Sequence, residues 1–218
     1  VSQQSQLLKT TVTIPVKTKY LLYLPENYKG SKSRWPLVLF LHGAGECGSN
    51  LDRVALHGPP KLAANGKQFP FVMVSPLCPY REWWNTEAQI ATLGKLLDDI
   101  VSRYRIDRKR IYVTGLSMGG YGTWSLVQKY PKRFAAIAPI CGGGNPAEAA
   151  KIAHVPAWVF HGAKDELVLP KLSQDMVKAL RKAGGKPKFT VYPDAGHDSW
   201  TAAYDNPALY AWLLKQSR

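Results

Sequence analysis

The sequence predicts an α/β protein: one mostly parallel, twisted sheet of about eight strands, covered by helices on both faces and carrying no lid. Three observations lead there. Short apolar runs rich in β-branched and aromatic residues recur along the chain. From the third run onward, stretches of helical periodicity separate them. Those later runs are also nearly continuous in hydrophobicity, as parallel strands buried on both faces must be.

The runs are TVTIPV, YLLYLP, PLVLFLHG, FVMVSP, RIYVTG, FAAIAPI, AWVFHG and KFTVYP. The first two sit close together and alternate more, which suits an antiparallel edge. In EAQIATLGKLLDDIVSRY, residues Ile90, Leu93, Leu97, Ile100 and Val101 recur at helical spacing with charged residues opposite. GGYGTWSLVQKY reads as a second helix ending before Pro131. PKLSQDMVKALRKAG reads as a third, with Leu172, Met176, Val177 and Leu180 facing inward and Gly184 at its C-terminal cap. DNPALYAWLLKQ closes the chain as a fourth. Only about fifteen residues separate FAAIAPI from AWVFHG, too few for a helical lid on ordinary loop lengths. Any site should therefore be open.

With 218 residues, 45% of them hydrophobic, the chain fits one domain over residues 1–218, with residues 1–9 a flexible or peripheral segment. No window approaches the roughly 18 apolar residues of a membrane span, so no membrane partner is expected. Lys and Arg outnumber Asp and Glu by 29 to 15, a net charge of +14. The basic residues are scattered through YKGSKSR, RYRIDRKR, KYPKR and ALRKAGGKPK rather than gathered on one face among stacking aromatics. They predict a solvated surface, and nucleic acid is not expected. The chain starts with Val and SQQSQ rather than Met, which reads as a mature end and predicts a secreted or periplasmic protein. Cys47, Cys78 and Cys141 form no metal spacing, and an odd count leaves a thiol unpaired. Neither a metal nor another cofactor is expected, and the oligomeric expectation is a monomer or weak homodimer.

In an open parallel sheet, ligands sit beyond the carboxyl ends of the strands. After IYVT comes Gly115-Leu116-Ser117-Met118-Gly119, a serine framed by glycines at a strand-to-helix turn. Side chains at the glycine positions would collide with neighbouring backbone, and the helix that follows turns N–H groups toward developing negative charge. A serine nucleophile needs a base, and the base needs an orienting acid. Asp165 follows the strand AWVFHG and His197 follows KFTVYP, in the order Ser, Asp, His. Glu166 is an alternative acid, and Asp194 and Asp198 lie near His197 in sequence, but only Asp165 occupies the strand-end position. His42 and His161 end strands before a glycine and read as buried structural residues, while His57 and His154 have no strand-end context. An oxyanion needs two N–H donors. The small-residue segment LFLHGAGECG supplies Ala44, with Gly45 as the alternative, and Met118 supplies the other.

Taken together, FLHGAGE, GLSMGGYGTW, PICGGG, VFHGAKD and GHDSW resemble the α/β-hydrolase superfamily. More narrowly they are similar to small lidless bacterial esterases of the phospholipase/carboxylesterase or prolyl-oligopeptidase type, close to feruloyl and acetyl xylan esterases. The resemblance runs from about Tyr20 to the C-terminus, and implies Ser117 as nucleophile, Asp165 as acid and His197 as base. One position departs: Cys47 stands where relatives usually carry Arg. Because the neighbouring strands of such sheets lie side by side, the resemblance also makes a Cys47–Cys78 bridge an option, while Cys141 reads as a small buried hydrophobe.

Trp83 and Trp84 follow the strand FVMVSP, and Trp200 comes three residues after His197. All three are candidate substrate walls, flat and apolar, beside an ester carbonyl. Trp35, Trp124, Trp158 and Trp212 read as packing. The expected activity is a serine esterase acting through an acyl-enzyme on a small-molecule or polysaccharide-linked ester, such as a feruloyl or acetyl ester. A peptidase or polyester depolymerase using the same three residues is the second reading, and a catalytically silent binding domain the third.

Overall fold

A computed structural model of the protein describes residues 3–10 and 15–218. Among the described residues, seven strands form one sheet: β1 (Tyr20–Tyr23), β2 (Trp35–Leu41), β3 (Val72–Pro76), β4 (Ile106–Leu116), β5 (Ala136–Ile140), β6 (Trp158–Gly162) and β7 (Lys188–Tyr192). Their order is β1-β3-β2-β4-β5-β6-β7, with β1 antiparallel to β3 and every other pair parallel. Residues 11–14 of the expected strand TVTIPV lie outside the described residues, and Pro15 and Val16 are not in a strand. Residues 3–10 are exposed and have no regular structure.

The alternation of side chains along each strand feeds two cores. Leu37, Leu39 and Leu41 of β2 face one side, where they meet helices α2 (Glu87–Arg103), α3 (Met118–Lys129), the short α4 (Ala149–Ile152) and α5 (Pro170–Lys182). Val38 and Phe40 face the other, against α1 (Gly58–Ala64), α6 (Trp200–Asp205) and α7 (Pro207–Leu214). Full burial of each such Leu, Phe or Val contributes roughly 1.5–3 kcal/mol. Helix α2 starts where Thr86 Oγ1 accepts from the Gln89 N–H at 3.3 Å, and buries Ile90, Leu93, Leu97 and Ile100 as its spacing predicts.

Three helical expectations need correction. Leu172 is 38% exposed rather than inward. The buried stripe of α5 runs through Ser173, Met176, Val177 and Leu180, and Leu172 lies about 90° around the helix from its centre. The closing segment is two helices, because the Asn206 side chain caps a fresh start by accepting from the Ala208 N–H at 3.0 Å. Helix α1 was not anticipated, since two prolines in its first turn hide its periodicity. The β5–β6 connection holds only a 3-10 turn, Pro146–Glu148, and α4. Among the described residues no helix is long and apolar enough to cross a membrane.

The tightest packing is where β2, β4 and α3 meet. A Cβ on Gly115 would overlap the Gly119 carbonyl group, and one on Gly119 would be driven into the Leu41 carbonyl. Gly119→Ala should therefore lower the melting temperature by roughly 5–10 °C. Gly30→Ala, whose added methyl meets nothing within 4 Å, should change it by no more than ~2 °C. Parallel thermal melts check both.

Candidate active site

Ser117 is the single residue between β4 and α3, held at φ 52° and ψ −116°. This conformation is unfavourable for a residue with a side chain, costing about 1–3 kcal/mol. The Ser117 N–H is anchored on the Ile140 carbonyl at 3.0 Å, and the close glycine contacts leave the turn no other path. The side chain is thereby lifted out of the sheet edge toward two loops. His197, in the loop after β7, brings Nε2 to 2.9 Å from Ser117 Oγ. Its Nδ1 lies 2.8 Å from Oδ2 of Asp165, in the loop after β6. The structure thus brings together the three side chains that the strand-end positions single out.

Asp165 is buried, and its Oδ1 accepts from the N–H groups of Leu167 and Val168 at 3.0 and 2.9 Å. Burial by itself would push this carboxyl up. The hydrogen bonds from His197 and from the Val168 and Leu167 N–H groups outweigh it and hold the carboxyl below the ordinary carboxylate range. An ionised carboxylate only accepts, so Nδ1 of His197 carries the hydrogen and Nε2 is free to accept from Ser117. The alternative acids are turned elsewhere. Glu166 is exposed, Asp194 pairs with Lys164 at 2.9 Å, and Asp198 binds the Thr201 N–H and hydroxyl.

Ala44 begins a 3-10 turn, Ala44–Glu46, directly after β2, and Met118 is the first residue of α3. Both line one cavity of about 410 Å³, together with Gly45, Cys47, Arg53, Tyr80 and Trp83. Among the described residues neither the Ala44 nor the Met118 N–H donates to a protein acceptor. A groove of about 710 Å³ along α2 and α3, lined by Ala88, Ser125 and Gln128, contains none of these groups.

The segment leading into this turn is fixed from behind. His42 is buried, with Nδ1 donating to the Gly43 carbonyl at 2.7 Å and Nε2 accepting from the Cys78 N–H at 2.9 Å. Burial lowers its pKa to about 4, with the Gly43 bond offsetting part of the shift, so the ring is neutral near pH 7. Trp84 is fully buried, its indole N–H donating to the His42 carbonyl at 3.0 Å. That corrects its reading as a substrate wall, because a ring with no exposed surface braces the loop instead. Trp83 is 49% exposed and faces the cavity. Trp200 stands edge-on to His197, ring centroids 5.3 Å apart, and to His57 at 5.6 Å.

Several residues in the site had no sequence signal. The Arg53 guanidinium donates to the Gly45 carbonyl. The buried Glu46 carboxylate lies 3.7 Å from His57. His161 was read as a structural histidine; it is fully buried, with Nε2 3.2 Å from Asp165 Oδ2. The Arg53 and His57 contacts depend on a return of the chain that local pattern does not encode, whereas the burial of His161 agrees with its structural reading. All three cysteines are free thiols, so the optional Cys47–Cys78 bridge is not formed. Cys47 Sγ lies 3.9 Å from the Glu82 carbonyl and from Met118 Sδ, and interaction with the neighbouring Cys78 thiol pulls Cys47 below the ordinary thiol range while Cys47 and burial push Cys78 above it.

Cys141, Asp165 and His197 offer three potential metal-ligand atoms within 4.8 Å of one another. Asp165 and His197 are already bonded to each other, and burial pushes the Cys141 thiol up to about 12. A soft cation would have to displace both protons.

A parallel sheet with helices on both faces, and a serine at a strained strand-to-helix turn facing a histidine and an aspartate at later strand ends, define the α/β-hydrolase class. Residues 81–208 match the Dienelactone hydrolase family, and the chain belongs to that family. It is 28% identical over 199 residues to a bifunctional acetylxylan esterase/xylanase of Neocallimastix patriciarum, covering 88% of this chain and 27% of the relative. It is 25% identical over 201 residues to an endo-1,4-beta-xylanase/feruloyl esterase of Xylanibacter ruminicola, covering 83% and 27%. The chain thus spans about a quarter of the length of these two relatives, 27% of each. Among solved structures, a thermostable esterase aligns with a TM-score of 0.80 and 34% identity over 91% of this chain and 59% of its own.

His42 gives this region a definite pH response. Its pKa is lowered from 6.5 to about 4 on folding, so below pH 6.5 the unfolded chain takes up a proton that the folded chain refuses. Stability falls as pH falls through that window, by on the order of 2–3 kcal/mol. The gap in melting temperature between wild type and His42→Gln should be largest near pH 7.5 and narrow by about pH 4.5. A constant gap would mean that the native ring is not held neutral.

Proposed function

We propose that this protein is a serine carboxylic-ester hydrolase that acts through an acyl-enzyme on accessible acyl or aryl esters, such as feruloyl or acetyl esters of plant polysaccharide. The observation that carries this reading is the continuous relay from Ser117 Oγ through His197 to Asp165, with contacts of 2.9 and 2.8 Å. Each contact is within the reach that proton transfer requires.

In the first half-reaction, Nε2 of His197 takes the hydroxyl proton as Ser117 Oγ attacks the ester carbonyl. Asp165 stabilises the imidazolium through Nδ1. The carbonyl oxygen, now an oxyanion, accepts from the N–H groups of Ala44 and Met118, each worth roughly 3 kcal/mol in the transition state. Collapse expels the alcohol, which leaves with the proton from His197. Water then enters by the same path, gives its proton to His197 and releases the acid, regenerating Ser117. Trp83 and Trp200 flank the carbonyl position as apolar walls. The site's openness and the acetylxylan and feruloyl esterase names of the two relatives favour an ester displayed on a polymer.

Hydrolysis of p-nitrophenyl acetate by wild type, with a burst of p-nitrophenol equal to the enzyme concentration when deacylation is slow, is the expected result. Ser117→Ala should lower kcat/KM by at least ~10⁴-fold, and equal rates would end the nucleophile assignment. Methyl ferulate, acetylated xylan and a prolyl peptide, compared by kcat/KM, rank the substrate classes. A prolyl peptide in first place would overturn the ester preference.

A further inference from the structure

Asp165 has a second histidine. His161 lies near the end of β6, four residues before Asp165, and the intervening loop folds back over its ring. Nε2 of His161 is 2.8 Å from the Val168 carbonyl and 3.2 Å from Asp165 Oδ2. The carbonyl only accepts, so this nitrogen carries a hydrogen and donates it to Val168, while Oδ2 lies beside the same N–H as a close electrostatic contact. Nδ1 is 2.7 Å from Ser173 Oγ of α5, whose hydroxyl reaches the Gly142 carbonyl at 3.0 Å. The ring is fully buried and held at both ends.

We propose that His161 is a positioning residue for the acid of the relay: its Nε2–H, donated to the Val168 carbonyl, sets a positive dipole against Asp165 Oδ2 and draws off part of the negative charge that His197 meets. The inference rests on the esterase reading above. Leu167 and Val168 N–H donate to Oδ1 and His197 donates to Oδ2, and the His161 N–H lies against Oδ2 at 3.2 Å. If the His161 N–H is removed, the charge on Oδ2 is offset by His197 alone. It then holds the His197 imidazolium more tightly, so His197 keeps its proton to higher pH and is a base over a narrower range. The carboxylate also loses one of the contacts that fix its rotation, which misaligns Nε2 toward Ser117.

The other ionisable groups around the relay do not supply this role. Cys141 at the end of β5 is pushed up to about 12, chiefly by burial, and is uncharged near pH 7. Tyr121 of α3 is raised by burial and then by the Asp165 charge, and is likewise neutral. Asp198 is occupied by Thr201, Lys164 by Asp194, and the Glu46–His57 pair lies beyond the Trp200 ring. Closing the loop through the Val168 carbonyl is a purely structural role, and pH dependence separates the two.

The test compares wild type with His161→Phe, which keeps a ring and loses the donor, and His161→Gln, whose amide N–H can reach the same acceptors. For p-nitrophenyl acetate, the Phe variant should lose ~10–100-fold in kcat with KM changed by no more than ~2-fold. The acid limb of kcat/KM should move up by roughly half to one pH unit, and Gln should restore most of both. Titration of the His197 Cε1–H resonance by NMR should show the same movement without any turnover. If wild type hydrolyses no ester, the esterase reading fails, yet this resonance still decides the role of His161. An unmoved limb and resonance in folded Phe enzyme, or a Gln variant no better than Phe, would overturn the proposal. Should Phe prevent folding, Ser173→Ala frees Nδ1 while keeping the imidazole. A smaller movement in the same direction is then expected, and no movement overturns the assignment.

Discussion

The carboxyl end of β2 lies so close to the turn between β4 and α3 that there is space only for hydrogen at Gly115 and Gly119, against the Leu41 carbonyl and each other. This contact fixes three separate pieces of the site at once. The segment leaving β2 emerges as His42–Glu46 beside Ser117, which is why Ala44 and Met118 face one cavity. Ser117 has no route between strand and helix except through a positive φ. The first turn of α3 is left open toward the cavity rather than covered by a side chain. Strain of about 1–3 kcal/mol at one residue is tolerable because the surrounding contacts are backbone against backbone and cannot yield separately.

Charge in the site is set by the balance between hydrogen bonds and burial. Asp165 and His42 are both buried, and desolvation is the largest influence on each, yet they end in opposite charge states. Asp165 receives bonds from two loop N–H groups and His197, which favour the anion strongly enough to override desolvation. His42 meets one carbonyl and one N–H, a pair satisfied only by the neutral tautomer, so desolvation wins. The charged residue thus stands behind His197 and the uncharged one behind the loop that follows β2. The fold achieves this with two strand-end segments of similar appearance in sequence, His42-Gly43 and His161-Gly162.

That similarity also explains what could be read from the sequence and what could not. Ser117, Asp165 and His197 were legible because each follows a continuous apolar run that had to be a strand, and strand ends converge in a parallel sheet. The β-strands from Trp35 onward were legible for the same reason. Which of two adjacent tryptophans turns inward was not, since Trp83 and Trp84 are chemically equal and the choice is made by the His42 carbonyl. Leu172 was misplaced because a helix with apolar residues at 172, 176, 177 and 180 admits two stripes, and Ser173 entered the buried one through its bond to His161. Arg53 and His57 reach the Ala44–Glu46 turn from a later segment whose return path no local pattern specifies.

The two sides of the site differ in how firmly they are built. On the relay side, every polar atom of Asp165 and both nitrogens of His161 are engaged within a few ångströms, and the loop that carries them is bonded to itself. On the cavity side, the lining comes from long side chains at exposed positions, Arg53, Tyr80, Arg81 and Trp83. Arg81 adopts φ 64°, so this segment too turns through a conformation that glycine would take more easily. Substitution there alters shape and charge next to the carbonyl position without disturbing a hydrogen bond that the relay needs. The strand ends thus hold Ser117, His197 and Asp165 in place, and Arg53 and the segment 80–83 form the part of the cavity wall that can change without disturbing what lies beneath it.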